Sequence, residues 1–320
     1  MTIKQLKLSV ILLIAIGIMV GCGKKVENNT AMSNLIPFDT LWEYQKPAET
    51  RAKFEALLQE AEDSGNKDYH LQLLTQIART LGLESKFDSA HTILDQVQKE
   101  MTGHDVVKVR YLLERGRAFR SAGEVEESVP LFVEAYELAR NKKEDNFAVD
   151  AAHMVAIAVE GYDKRMEWSL KALNLAEKSS VPKAQKWKGS LYNNIGWDYH
   201  DQKKYDEALD MFQKALVFRE EQKSAREIQI AKWCVARCFR SMDRIDEALA
   251  IQKALYEEGQ GGINSDGYVC EELGELYLIK GQPENSQPYF KQAYEILSKD
   301  SWMMKNEAER MERIKKLSGM

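Results

Sequence analysis

From about residue 50 to the C-terminus, apolar residues recur every three to four positions, and short polar or glycine-bearing breaks separate one run from the next. That spacing places the apolar side chains on one face of a helix, so the pattern predicts a series of amphipathic helices. No stretch alternates with a period of two, and no strands are expected. Two regions depart from the pattern. Residues 8–20 are a nearly unbroken apolar run, interrupted only by Ser9 and Gly17. Residues 23–45 carry Lys, Asn, Thr, Ser and Pro37 with no helical period, which predicts a flexible tether.

Aligning the helical runs reveals a repeated unit. Residues 191–216 read LYNNIGWDYHDQKKYDEALDMFQKAL, with Tyr192, Ile195, Gly196 and Tyr199 on the first helix. Tyr205, Ala208, Phe212 and Ala215 follow on the second. The frame recurs with Gly116, Phe119, Ser128, Phe132 and Ala135, and again with Gly274, Tyr277, Ser286, Phe290 and Ala293. Less complete versions hold Ala78, Ala90 and Leu94, and Ala236, Ala248 and Gln252. The most divergent has His153 at the small position and Arg165 where Ala is expected. Marked by Ala78, Gly116, His153, Gly196, Ala236 and Gly274, the units are 38, 37, 43, 40 and 38 residues apart.

These residues resemble the tetratricopeptide repeat (TPR), a helix hairpin with a usual period of about 34 residues. The resemblance covers about residues 65–300. It implies an all-α fold, a right-handed α-solenoid of about six TPR-like helix hairpins with flanking cap helices. Residues 50–63 predict a covering helix at the start, and residues 302–320 a capping helix at the end. The expected organisation is a leader over residues 1–21, a tether over 22–45, the solenoid over 46–301 and the cap over 302–320.

The leader is predicted from its own pattern. Lys4 and Lys7 precede the apolar run, which is too short to span a bilayer core comfortably. It ends Met19-Val20-Gly21-Cys22, which resembles the lipobox of bacterial lipoproteins, with Met19 where that motif most often has Leu. The resemblance implies that Cys22 is lipidated and becomes the mature N-terminus, anchoring the chain to a membrane. Gly23 rather than Asp follows the cysteine, which points to the outer membrane, facing the periplasm.

Charge narrows the partners. Without residues 1–21 the chain keeps 43 basic and 50 acidic side chains, a net charge of about −7. An acidic chain is a poor nucleic-acid binder, and no nucleic-acid partner is expected. No HExxH, GxxxxGK[ST], GxSxG or CxxC motif occurs, so neither enzyme activity nor a cofactor is expected. The glycine-rich residues 259–262 lack the strand and lysine of a phosphate loop. Cys234, Cys238 and Cys270 are read as packing residues, with one disulfide as the alternative and a metal or redox site behind it.

Helical rotation predicts what the non-core face of the first helices carries. Asn193, Trp197 and His200 share such a face, as do Trp233, Arg237 and Arg240, and Arg110, Arg117 and Arg120. Arg79 matches in the first unit, and Tyr268, Glu271 and Glu275 in the last. Arg115 falls where a core apolar residue belongs, which predicts snorkelling or pairing with an acid. In TPR proteins the first helices line a concave groove. The resemblance therefore implies a groove with arginines and two tryptophans, suited to a protein or peptide with an acidic segment. The expected function is a non-enzymatic, membrane-tethered scaffold. A sensory array responding to a small ligand or peptide, and a glycan-binding lipoprotein using Trp197 and Trp233, are the alternatives.

Overall fold

A computed structural model describes residues 35–259 and 266–320. The leader, Cys22, the first part of the tether, and Gly261 and Gly262 lie outside the described residues. A 3-10 turn at Phe38–Leu41 is followed by α1 (Pro47–Glu55) and α2 (Leu58–Asp63). Then come α3 (Lys67–Leu83), α4 (Phe87–Glu100), α5 (Asp105–Ala122), α6 (Val125–Asn141), α7 (Asp145–Ala158) and α8 (Tyr162–Lys178). After the short α9 (Pro182–Gln185) follow α10 (Lys188–Asp201), α11 (Tyr205–Glu221), α12 (Ala225–Ser241), α13 (Ile245–Glu258), α14 (Gly267–Ile279) and α15 (Pro283–Leu297). The chain closes with α16 (Ser301–Asn306) and α17 (Ala308–Ser318). Six hairpins result, pairing α3 with α4, α5 with α6, α7 with α8, α10 with α11, α12 with α13 and α14 with α15. Each second helix also packs on the next first helix, which makes an α-solenoid. No strand occurs among the described residues.

The turn inside each hairpin needs one left-handed residue. Gly123, Gly161 and Gly281 supply it without strain, whereas Ser85, Lys203 and Asp243 adopt it at φ of 59–60°. In five hairpins the residue after the left-handed one bonds back to a carbonyl five positions earlier, as Glu124 N–H does to Phe119 and Lys204 N–H to Tyr199. That bond satisfies a helix-end carbonyl that would otherwise lack a partner.

Within each hairpin, one pair of positions sets the spacing of the helices. A Cβ on Gly116 would lie 2.5 Å from the Phe132 ring, one on Gly196 2.5 Å from Phe212, and one on Gly274 3.0 Å from Phe290. Where the second helix has Leu94 or Gln252 instead of Phe, the first helix has Ala. Where it has Ser169, the first helix carries His153. In this divergent third unit His153 is only partly buried, and its ring lies 5.5 Å from that of Trp187. Gln252 is the exception in chemistry, because its amide is fully buried and neither polar atom has a hydrogen-bond partner.

Three expectations are corrected at the ends. The expectation of a flexible tether up to residue 45 does not hold for its last part. Residues 37–44 pack against the solenoid, with Phe38 only 6% exposed. The single capping helix expected after residue 302 is two helices, broken at Glu307 (φ −119°, ψ 34°). The break turns α17 back so that Met311 and Ile314 are buried against the last unit. The helix expected over residues 50–63 is likewise split, into α1 and α2, which bury Phe54 and Ala61.

Candidate partner-binding face

Equivalent positions on successive first helices meet because the units stack in register. The position after the small residue of one unit reaches the positions two and three before the small residue of the next. In the first half of the solenoid these rungs are ionic. Arg79 Nη1 donates to both oxygens of Glu114, at 3.1 and 3.2 Å. Arg117 donates to Glu114 at 2.7 Å and to Asp150 at 2.5 Å. Glu114 is buried between the two guanidiniums. Further along, the same rung is aromatic: the Trp197 and Trp233 rings lie 6.1 Å apart, tilted by 42°. It is ionic again where Arg237 Nε lies 3.3 Å from Glu272 and Arg240 grips both Glu272 oxygens at 2.7 Å.

The arginines expected to be free for a partner are therefore mostly held by the chain itself. Arg110 is buried and donates to Asp39 at 2.7 Å. Arg117 serves a rung, and Arg120 donates to the Ile157 carbonyl at 3.3 Å. Arg237 also donates to Ser241 at 2.6 Å. Glu271 and Glu275, expected on the same face, are taken by Arg310 and Arg313 of α17. Arg115 does pair with an acid, Asp95, and it also lies 2.7 Å from His91 Nδ1.

Asn193, Trp197, His200 and Trp233 are brought together across α10 and α12. Trp197 meets Phe212 and His200 edge-on at 5.1 and 5.0 Å. His200 Nε2 lies 2.9 Å from Ser241 Oγ, and Asn193 accepts from the Cys234 thiol at 3.2 Å. Trp233 donates to the Tyr268 carbonyl at 3.3 Å, and its ring lies 6.3 Å from that of Tyr268. Beside them, Ile230, Trp233, Leu255, Tyr268 and Val269 line a cleft of about 490 Å³, with Arg226 and Gln229 exposed at its rim.

On the first two units part of the equivalent face is covered by residues 37–44. Trp42 Nε1 donates to Gln76 at 3.1 Å. Trp42 and Tyr44 stack 4.7 Å apart, and the Arg79 guanidinium lies 5.7 and 5.5 Å from their centres. Asp39 also faces Lys183 at 3.6 Å. The sequence pattern missed this strap because it has no period, although three aromatics in residues 38–44 mark it out from the polar stretch before it.

Burial and pairing set the charge states. Burial works against the charge on Arg117, yet Asp150 and Glu114 outweigh it and raise its pKa. Burial, helped by Arg240, lowers that of Arg237. His153 and His200 are pushed down, first by burial and then by nearby arginines, so both stay neutral near pH 7. Cys234, Cys238 and Cys270 are free, buried thiols, pushed up by burial to about 12, 11 and 12. Such thiols stay protonated and act as packing residues. No group of three or more metal-ligating side chains is gathered among the described residues.

Residues 190–221 and 268–298 match the tetratricopeptide-repeat family model. These are the fourth and sixth hairpins, both of which carry the Gly–Phe pair, and the chain thus contains tetratricopeptide repeats. Among solved structures it is similar to a signal-transduction ATPase with a tetratricopeptide repeat sensor from Pyrococcus horikoshii. That match has a TM-score of 0.65 at 14% identity, covering 86% of this chain and 44% of that one. The apo form of RapI gives a TM-score of 0.65 at 12% identity, with 82% and 76% covered. BtubC from P. vanneervenii gives 0.55 at 10%, with 72% and 94% covered. The chain spans less than half the length of the first of these. At such identities the likeness is one of fold. No curated protein sequence matches the chain.

Proposed function

We propose that this protein is a non-catalytic scaffold, tethered to a bacterial membrane through lipidated Cys22, that holds an extended segment of a partner protein on its first-helix face. The observation that carries the reading is that this face already seats a peptide segment, the chain's own residues 37–44 with their 3-10 turn, through aromatic, cationic and amide groups. A solenoid face that recognises one such segment has the chemistry to recognise another. The open part of the face, around Trp197 and Trp233, offers half-buried aromatic area at the middle of the array. Arg237 and Arg240 are held by Glu272, so the partner's contacts there are more aromatic and amide than acidic.

Tethering rests on the basic start, the short apolar run and Cys22, and the location that fits Gly23 is the outer membrane facing the periplasm. Crosslinking from native membranes tests the whole reading: the intact chain captures a defined protein, and Trp197→Ala with Trp233→Ala abolishes the capture. Unchanged capture would assign the contact elsewhere. Cys22→Ser releases the chain from membranes, and full retention on fractionation would remove the lipid anchor. A second reading, a sensor of a small ligand, is favoured by the cleft of about 490 Å³ beside Trp233. A ligand-dependent rise in melting temperature would support it.

A further inference from the structure

Residues 37–44 are bound as a ligand is bound, by side chains rather than by a shared backbone ladder. Asp39 meets Arg110, Trp42 bonds to Gln76, and Trp42 stacks with Tyr44 beneath Arg79. They are also tied to the following helix: Thr50 exchanges hydrogen bonds with the Glu43 backbone, Lys53 pairs with the Glu43 carboxylate, and Phe38 and Trp42 meet Phe54 edge-on. The strap is not the sole closure of that end, because α1 and α2 also cover α3, with Ala61 buried and Phe54 packed beneath Phe38 and Trp42. Nor is it sealed in place: Phe38 is buried, whereas Tyr44 is 57% exposed and the Asp39 side chain 33%. Each anchor recognises a chemical group, a carboxylate or an aromatic ring, which a separate chain can equally present.

The geometry points to an exchangeable peptide site on the first two units, occupied at rest by the chain's own residues 38–44. Its ligand is a partner segment of the same chemistry, an acidic residue followed three positions later by Trp and then by a second aromatic. The inference rests on the reading of this face as partner-binding and adds what the partner must carry. A tethered competitor acts at an effective concentration of the order of millimolar. The partner's apparent affinity is therefore reduced by the fraction of time the strap is off.

The test uses the full chain and a labelled synthetic peptide spanning residues 35–45. A chain carrying Asp39→Ala and Trp42→Ala, with helicity checked by circular dichroism, binds this peptide at least about tenfold tighter than the unaltered chain. The same peptide carrying Asp39→Lys fails to bind. Equal binding of both peptides, or of neither, by the folded variant overturns the proposal. A second measurement needs no altered protein. Excess peptide speeds amide hydrogen exchange of residues 38–44 in the unaltered chain, and unchanged exchange overturns the proposal. A dimer of the unaltered chain that the strap variant loses assigns the site to a second copy and overturns the separate partner. Trp197- and Trp233-dependent capture that persists when the strap variant binds no peptide defeats this site alone. Loss of both defeats the wider reading.

Discussion

The first-helix face of units one to three and that of units four and five are built from the same positions and do different things. In the first region the rung holds Arg79, Glu114, Arg117 and Asp150, and the chain's own strap covers part of the face at Gln76 and Arg110, leaving a smaller cleft of about 230 Å³. In the second it holds Trp197 and Trp233, with rings half exposed beside an open cleft. An ionic rung consumes its charge in joining two units. An aromatic rung joins them through ring edges and leaves apolar area for something else. A position on a repeat can thus serve adhesion or recognition, and the partner residue on the next unit decides which.

The largest test of this contrast is Glu114→Ala. It leaves the partly buried Arg79 and Arg117 without their shared carboxylate, Arg117 keeping Asp150, and a loss of about 3 kcal/mol in denaturant unfolding is expected. A loss below about 1 kcal/mol would mean that the ionic rungs do not hold the units together. Trp197→Ala is expected to cost less, about 2 kcal/mol, because the ring is only partly buried, and to reduce capture of a partner. If stability falls by as much as in Glu114→Ala while capture persists, the two regions are alike after all. Gln252→Leu restores the Ala–Leu pair already present at Ala78 and Leu94. It removes a buried amide without partners, and a gain of about 1 kcal/mol in thermal unfolding is expected. The smallest effect is one of pH. His153 has its pKa lowered by burial, so the unfolded chain binds more protons once pH falls below the unperturbed value of 6.5. Stability is therefore full above that value and declines as pH drops toward the folded pKa. His153→Asn flattens the decline in melting temperature between about pH 7 and pH 5, whereas His200, less deeply buried and in the other region, still titrates.

The hairpins were legible because packing writes its own period. Gly116, Gly196 and Gly274 stand where a Phe from the next helix arrives, and no other feature of the chain repeats so regularly. The face was legible as a face: Trp197 and Trp233 do meet, and Asn193 and His200 stand beside them. What helical rotation could not give was the partner of each charge. Arg237 and Arg240 looked free until Glu272 was placed opposite them, because rotation fixes direction on one helix and not the distance to the next. The strap was hidden for another reason. Phe38, Asp39 and Trp42 are held by tertiary contacts alone, and a segment without period leaves only its composition to be read. The break at Glu307 has no proline or glycine to announce it.

The pairing of Gly on one helix with Phe on the other constrains how such a chain can change over generations. Enlarging Gly196 first drives a new carbon to 2.5 Å from a fixed ring, and shrinking Phe212 first opens a void costing about 3–5 kcal/mol. Neither single step is neutral, so the two residues form one heritable unit that must alter together.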